Sequence, residues 1–336
     1  MRRRIEAAMD RFIDAQAMSD AEVAIMLREM EVDIAIDLNG HAGAGRTGIL
    51  ARRPAPVQVN YLGNAGTMGV PFLDYIIADR TVIPSDQFRH YAEKIVYLPH
   101  SYQCNDSRRH VPQHVSSRVD AGLPETGFVY CCFNNNYKIA PAIFDVWMRL
   151  LSACPESVLW LLGDHPYAMH NLRREARARG VAPERLVFAP RILEEDHLVR
   201  LRLADLFLDT LPYNAHATAS DALWAGLPVV TCMGNTFAGR VAASLLRAIG
   251  LPELVTSSLA EYEELALVLA RDRERLAAIK GKLMRNRNAE PLFDTARFTR
   301  DLETAYTTMW ERTQRGEPPE SFSVASALHS TEILNV

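Results

Sequence analysis

The sequence predicts an α/β protein built from two Rossmann-like halves, and three observations predict it. Short β-branched apolar runs alternate with longer amphipathic stretches, the pattern of parallel strands joined by crossover helices. The rhythm pauses over the polar, Pro- and Gly-bearing segment 107–127 and then restarts. The 336 residues suffice for two domains, each with its own core.

In the first half, strands are expected at 33–39, 56–63, 74–79 and 94–99. A helix over 19–31 precedes them, opened by Ser19 with Glu22 three residues on, the spacing of a capping box. Only about four strands are legible here, and the half starts abruptly at a helix. It is either a small domain or one whose opening βα units precede Met1. In the second half, strands are expected at 128–134, 157–163, 185–190, 206–210 and 228–234. Helices are expected to begin near Pro141, Tyr167, Glu194, Thr218 and Ala238. Five such units in succession suit an open, doubly wound sheet. Helices over 258–272, 273–286 and 295–313 follow. The expected domains are thus 1–115, a partial N-terminal half, and 116–313, with 314–336 a disordered tail lacking periodicity.

The bulk numbers exclude several partners. Hydrophobic residues make up 48% and charged residues 23%, as in a soluble globular protein. A net charge of −4 gives no electrostatic case for nucleic acid or an anionic membrane. No apolar run reaches the length of a membrane span, and the basic N-terminus has no apolar stretch behind it to form a secretory signal. Cys104, Cys131, Cys132, Cys154 and Cys232 show no metal or disulfide spacing, so buried free thiols in a reducing cytoplasm are expected.

In an open parallel sheet, ligands sit beyond the C-terminal ends of the strands, so polar residues there carry the functional reading. After the second half's first strand comes "NNNYK", in which Lys138 can reach an anion and asparagine side chains can donate to phosphate oxygens. An Asn-rich turn with a solvated lysine is the plain alternative. After the third strand, His197 and Arg200 stand three apart on one helix face, placed to stack on a base and read its edge, or simply solvated. After the fourth comes "PYNAHATASDALWAG". A helix beginning near Thr218 offers free N–H groups and a positive dipole end to phosphate. Ala215, Ala217 and Ala219 would let a ligand approach, and Asp221 could accept two ribose hydroxyls. A capping role explains Thr218 equally well but leaves His216 without a purpose.

In the first half "LGNAGTMG" carries Gly63 and Gly66 after a strand; a plain turn and a backbone wall facing a sugar fit it equally. His41 and Arg46 lie in a second glycine-rich stretch at a strand end. No phosphate-binding P-loop, no D-x-D at a strand end and no metal-ligand spacing is present. No metal or cofactor is therefore expected, and a departing diphosphate would rely on Lys138 and the 216–221 turn.

The segments "DLNGHAGAGRTGILARRPAPVQVNYLGNAGTMG", "DYIIADRTVIP", "FNNNYKIAP", "LADLFLDTLPYNAHATASDALWAGLPVVT" and "FAGRVAASLL" occur in order. The chain resembles, over roughly residues 20–313, the catalytic region of the protein O-linked N-acetylglucosamine transferases, the SPINDLY-like family. That resemblance implies a GT-B fold, two Rossmann-like domains facing a cleft, the N-terminal one here truncated. It implies transfer of N-acetylglucosamine from UDP-GlcNAc to Ser or Thr hydroxyls of a polypeptide acceptor, with inversion. It assigns Lys138 to the donor diphosphate, His197 and Arg200 to the uracil side, and His216, Thr218 and Asp221 to sugar, phosphate and ribose. Asn135 stands where the family often has Gln, and the Gly63–Gly66 loop would wall the sugar. Ala217 replaces a Thr, and Glu194 replaces the Lys of animal members, each weakening the donor by about 1–3 kcal/mol at most. The family's upstream acceptor-side residues and tetratricopeptide helices have no counterpart here. Two other readings share these residues: a UDP-binding relative without transfer, and a GT-B enzyme with another nucleotide-sugar.

Overall fold

The computed structural model describes residues 2–43, 45–112 and 117–326. The chain forms two compact units. One is built from Met1–Ile77, Asp86–Tyr97 and Glu303–Val324, the other chiefly from Ala78–Ser85 and Leu98–Leu302. The unit boundary therefore differs from the expected 115/116. Residues after 97 belong with the second unit because Tyr102 packs edge-on against Phe237, ring centroids 4.8 Å apart, and Asn105 donates to the Leu292 carbonyl.

The first unit begins with α1 (Arg2–Ala8), which the sequence reading did not resolve, and α2 (Asp20–Glu29). The capping box on α2 forms as expected: Glu22 N–H donates to Ser19 Oγ while the Glu22 carboxylate accepts from Ser19 N–H. There follow β1 (Ile34–Asp37), a short α3 (Thr47–Leu50), β2 (Val57–Asn60), β3 (Tyr75–Ala78) and β4 (Lys94–Tyr97). Strands β2 and β3 are buried along their whole length; β3 is apolar throughout, whereas β2 carries Gln58 and Asn60, whose side-chain amides donate to the Leu50 and Gly66 carbonyls.

The second unit continues with β5 (Val129–Cys132), α4 (Pro141–Ala153), β6 (Val158–Leu162), α5 (Pro166–Ala178), β7 (Leu186–Ala189) and α6 (Glu194–Leu201). Next come β8 (Leu206–Leu208), α7 (Ala217–Ala225), β9 (Val229–Cys232), α8 (Val241–Ala248) and β10 (Val255–Thr256). Helices α9 (Leu259–Arg271) and α10 (Arg273–Asn286) follow. Helix α11 (Thr295–Gln314) belongs to the second unit up to Leu302 and to the first from Glu303, and β11 (Phe322–Ser323), also in the first, is the last element of the described chain. Pro141 and Pro166 open α4 and α5, where a missing N–H costs no bond. Trp147 and Trp160 fill the core between helix and sheet.

The two sheets differ in strand order. The first runs β1-β2-β3-β4-β11, stepping one way along the chain. The second runs β10-β9-β8-β5-β6-β7. Numbered within the unit that order is 3-2-1-4-5-6, read from its β7 edge, the doubly wound arrangement in which direction reverses between two neighbouring strands. Those neighbours are β5 and β8, paired parallel with Tyr130 beside Leu206 and Cys131 beside Phe207.

The tail corrects an expectation. Residues 314–336 were expected to be disordered, yet β11 pairs parallel with β4, Phe322 against Val96 and Ser323 against Tyr97. Ser321 Oγ accepts from the Ile95 N–H, and the Phe322 ring meets Tyr75 edge-on at 6.3 Å. The expectation for residues 327–336 lies outside the described residues. Cys104 is a second correction: it is exposed and Cys154 half-buried, whereas Cys131, Cys132 and Cys232 are buried free thiols. Among the described residues no helix is long and apolar enough to cross a membrane.

Candidate functional site

The reversal between β5 and β8 separates the loops leaving them, and in such sheets that opening receives the ligand. The loop after β5 carries Asn134, Asn135 and a single helical turn, Asn136–Lys138. The loop after β8 carries Asp209 to His216 and runs into α7.

Asp209 is the residue around which the second loop is folded. Its side chain is 1% exposed and accepts from Ala215 N at 2.6 Å, Thr210 N at 2.7 Å and Thr231 Oγ1 at 2.6 Å. Burial pushes its carboxyl up to about 7, while Thr231, the two backbone N–H groups and Lys138 pull the other way. Asn134, buried at the end of β5, donates to Thr210 Oγ1 at 2.7 Å, and Thr210 Oγ1 in turn donates to the Tyr213 carbonyl. The two loops are thus stitched together by short side chains. The sequence reading passed over Asp209, although an acid closing the apolar run "LFLD" was a legible signal.

Lys138 reaches across the opening. Its Nζ donates to the Asn214 carbonyl at 2.9 Å and lies 4.0 Å from the centre of the Tyr213 ring. Burial lowers its pKa, and the nearby Asp209 opposes that shift. His216 stacks on the same ring, centroids 4.8 Å apart and planes 23° from parallel. Lys138 and His216 therefore converge on Tyr213, a residue the sequence gave no reason to choose. The His216 ring nitrogen Nε2 lies 3.2 Å from the Ala238 carbonyl, and burial lowers this imidazole to about 4. A neutral ring with a cation beside it is the result.

His216 is also the N-cap of α7, with no side-chain cap hydrogen bond. The helix begins at Ala217, so Thr218 is inside the first turn and does not cap it. Thr218 Oγ1 instead donates to Asn134 Oδ1, tying the helix start to the end of β5. An uncapped helix start beside a lysine has the donors and the field that an anion requires. Of the three alanines expected to admit a ligand, Ala215 and Ala219 turn into the core, and Ala217 alone is exposed.

His197 and Arg200 are not the solvated pair their spacing allowed. Arg200 is 8% exposed; its Nε donates to His197 Nδ1 at 2.8 Å and its Nη1 to the Pro190 carbonyl at 2.6 Å. Both side chains sit on Phe133, the guanidinium 4.6 Å over the ring and the imidazole edge-on at 5.1 Å. Burial, with Arg200 adding to it, lowers His197 to about 4. A neutral imidazole accepting at Nδ1 carries its proton on Nε2, so Arg200 sets the donor atom that His197 presents. Burial likewise lowers Arg200, to about 10.

Asn135 accepts at Oδ1 from Arg191 Nη2 at 2.8 Å, and Arg191 also pairs with Asp164 at 2.8 Å. Three strand-end loops, after β5, β6 and β7, are joined by this contact. Asp221 lies one turn into α7 with its side chain 19% exposed, paired through Oδ1 to Arg109 Nη1. Asp221 was expected to accept two ribose hydroxyls; its Oδ1 is taken by an arginine from the polar segment 107–127.

Gly63 and Gly66 belong to the first unit. A Cβ on Gly63 would lie 2.1 Å from the Leu38 carbonyl oxygen, so the chain there admits only glycine. A Cβ on Gly66 would meet nothing within 4 Å, and its carbonyl accepts from Asn60 and Asn64 Nδ2. Glu93, 3% exposed, holds this loop by accepting from Met68 N at 2.7 Å, Thr67 Oγ1 at 2.5 Å and Asn60 Nδ2 at 3.1 Å. Arg46, from the neighbouring glycine-rich stretch, pairs with Asp20 and bonds the Ala15 and Met18 carbonyls, a structural task. Among the described residues no group of three or more His, Cys, Asp or Glu is placed to hold a metal ion.

Residues 1–119 and 109–302 match glycosyl transferase family 41. The chain belongs to that family. Among similar family members is the probable UDP-N-acetylglucosamine–peptide N-acetylglucosaminyltransferase SEC of Arabidopsis thaliana, 39% identical over 96% of this chain and 34% of that protein. A tomato relative named SPINDLY, with the same probable activity, is 36% identical over 91% of this chain and 33% of its own length. This family 41 chain thus spans about a third of the curated relatives it matches. The O-GlcNAc transferase of Thermobaculum terrenum, solved as a mutant, superposes with a TM-score of 0.87 at 36% identity, covering 94% of this chain and 60% of that one. Anabaena HepE in complex with UDP shares the fold at a TM-score of 0.60 and 15% identity, covering 86% of this chain and 82% of its own. The two parallel-sheet units are those of GT-B glycosyltransferases.

Proposed function

We propose that this chain is a glycosyltransferase that moves N-acetylglucosamine from UDP-GlcNAc to Ser or Thr hydroxyls of a polypeptide, inverting the anomeric carbon. The observation that carries the reading is the convergence of Lys138, His216 and the uncapped start of α7 at the β5/β8 reversal. The names of the relatives at 36–39% identity support the donor and the acceptor class.

In this mechanism the acceptor hydroxyl oxygen bonds to the anomeric carbon, its proton passing to solvent water, as the bond from that carbon to the diphosphate oxygen breaks. The charge that develops on the departing UDP falls to Lys138 Nζ and to the N–H groups of the first turn of α7. Those groups supply what a metal supplies in other nucleotide-sugar enzymes, so no metal enters the proposal. Thr218 and Asn134 hold the phosphate side of the loop pair, and Asn135 adds a polar side chain there. His197 offers Nε2–H to the base, with Arg200 fixing its tautomer. Asp221 accepts from the ribose. Five free cysteines fit a reducing cytoplasm as the place of action.

Mass spectrometry of a Ser/Thr-containing acceptor protein, after incubation with UDP-GlcNAc and a stoichiometric amount of the chain, tests this. A mass gain of one N-acetylhexosamine is expected. No gain, with UDP still bound, would leave a nucleotide-binding relative; no UDP binding at all would remove the donor site itself.

A further inference from the structure

Arg109 lies outside every helix and strand, in a stretch whose sequence gave it no purpose. Its side chain is nevertheless only 13% exposed. Nη1 donates to Asp221 Oδ1 and lies 3.9 Å from Glu194 Oε1, so one guanidinium spans the starts of α6 and α7. Its Cζ stands 5.5 Å from the centre of the Trp224 ring. Its Nε and Nη2 are buried and donate to nothing among the described residues. A guanidinium placed to brace a fold turns its N–H groups to protein acceptors, as Arg185 does through Nε and Nη2 with the Leu151, Cys154 and Ser157 carbonyls. Arg109 makes one charged bond, and that bond goes to Asp221.

A carboxylate as enclosed as Asp221 needs a counter-charge to stay ionised, because burial favours its neutral form. Arg109 supplies it. The bond uses Oδ1, which leaves Oδ2 to accept from a ligand. An isolated aspartate at this point of α7 would be free to rotate and to take up a proton; the clamped one presents a fixed acceptor.

We infer that Arg109 is a positioning residue for donor binding: it orients the Asp221 carboxylate so that its second oxygen receives the ribose hydroxyls of the nucleotide. The inference rests on the reading of Asp221 as the ribose acceptor. It predicts a residue whose effect is confined to ligands that carry those hydroxyls.

Calorimetric titration of the full chain with UDP and with 2′,3′-dideoxy-UDP tests it, using Arg109→Met, Arg109→Lys and Asp221→Asn. Arg109→Met is expected to weaken UDP about tenfold and to leave the dideoxy nucleotide within about twofold, so that the preference for the ribose hydroxyls collapses. Arg109→Lys keeps a charge without the fork and is expected to recover part of the loss. Asp221→Asn is expected to lose the same preference, with no further loss when combined with Arg109→Met. Circular dichroism melts confirm that each variant is folded. Unchanged UDP affinity in Arg109→Met overturns the inference, as does an equal loss for both nucleotides, which marks a merely structural residue. Tighter UDP binding overturns it too, since the arginine would then compete with the ribose. If the unmodified chain prefers UDP over the dideoxy form yet Arg109→Met does not alter that preference, Arg109 fails while the ribose site stands. If the unmodified chain shows no such preference, the ribose reading of Asp221 fails first.

Discussion

Each unit fastens a loop at a strand end to one buried carboxylate, and the two loops come out differently. Asp209 holds the loop after β8 from within, accepting from Thr210 and Ala215 a few residues on. Glu93 holds the Gly63–Gly66 loop from far along the chain, accepting from Thr67 and Met68. Around Asp209 the loop gains a lysine, an aromatic ring and a helix start. Around Glu93 it gains backbone carbonyls, two asparagines and a glycine forced by its neighbour's carbonyl. Sheet order explains the difference. The second sheet reverses between β5 and β8 and so opens a crevice that three helix-bearing loops can line, whereas the first steps steadily from β1 to β4. The lesson is that similar loop anchoring yields a charged cradle only where the topology separates neighbouring strand ends.

The largest effect should come from the cation. Lys138→Ala is expected to lower the transfer rate by about 10²–10³, the scale of losing one charged stabiliser of a leaving group, while UDP binding falls far less. Rapid-quench turnover beside calorimetry reads both, and an unchanged rate would strip Lys138 of its role.

A paired substitution sharpens the comparison itself. Asp209→Asn turns an amide toward two backbone N–H groups, and Glu93→Gln does the same to Met68 N and the Thr67 hydroxyl. Each should cost about 1–3 kcal/mol of stability by urea denaturation, the range for stranding buried hydrogen-bond partners. Only Asp209→Asn should also weaken UDP. Equal weakening in both variants would break the distinction drawn between the loops.

Acid comes last because its effects in the second unit oppose one another: Asp209, held up to about 7, takes up a proton on the folded chain in the same window in which two buried histidines resist one. Burial holds His197 and His216 near 4, below the ordinary imidazole value of 6.5. Between those values the two histidines bind more protons in the unfolded chain than in the folded one, so the stability they contribute above 6.5 is lost as pH falls toward 4. Melting temperature measured across that window should decline, and His197→Gln should flatten part of the decline.

Much of this architecture was legible in the sequence because strand, turn and helix alternate with clear punctuation. The nine strands expected all occur, trimmed at their ends, and the capping box at Ser19 formed as written. The strand at Phe322 was not legible: two residues pairing across more than two hundred leave no local period. In the site, Lys138, His216 and Thr218 announced themselves by standing after strands. Asp209 and Tyr213 did not, because their importance lies in what they hold rather than in their own exposure. Arg109 was invisible for a simpler reason, since a polar stretch gives no sign of which of its arginines will fold back onto α7.

The most direct test of the cradle is a crystal structure of this chain with UDP bound. The account predicts diphosphate oxygens within about 3.2 Å of Lys138 Nζ and of the N–H groups opening α7, with the ribose at Asp221. A diphosphate bound elsewhere, with Lys138 still committed to the Asn214 carbonyl and Tyr213, would contradict it.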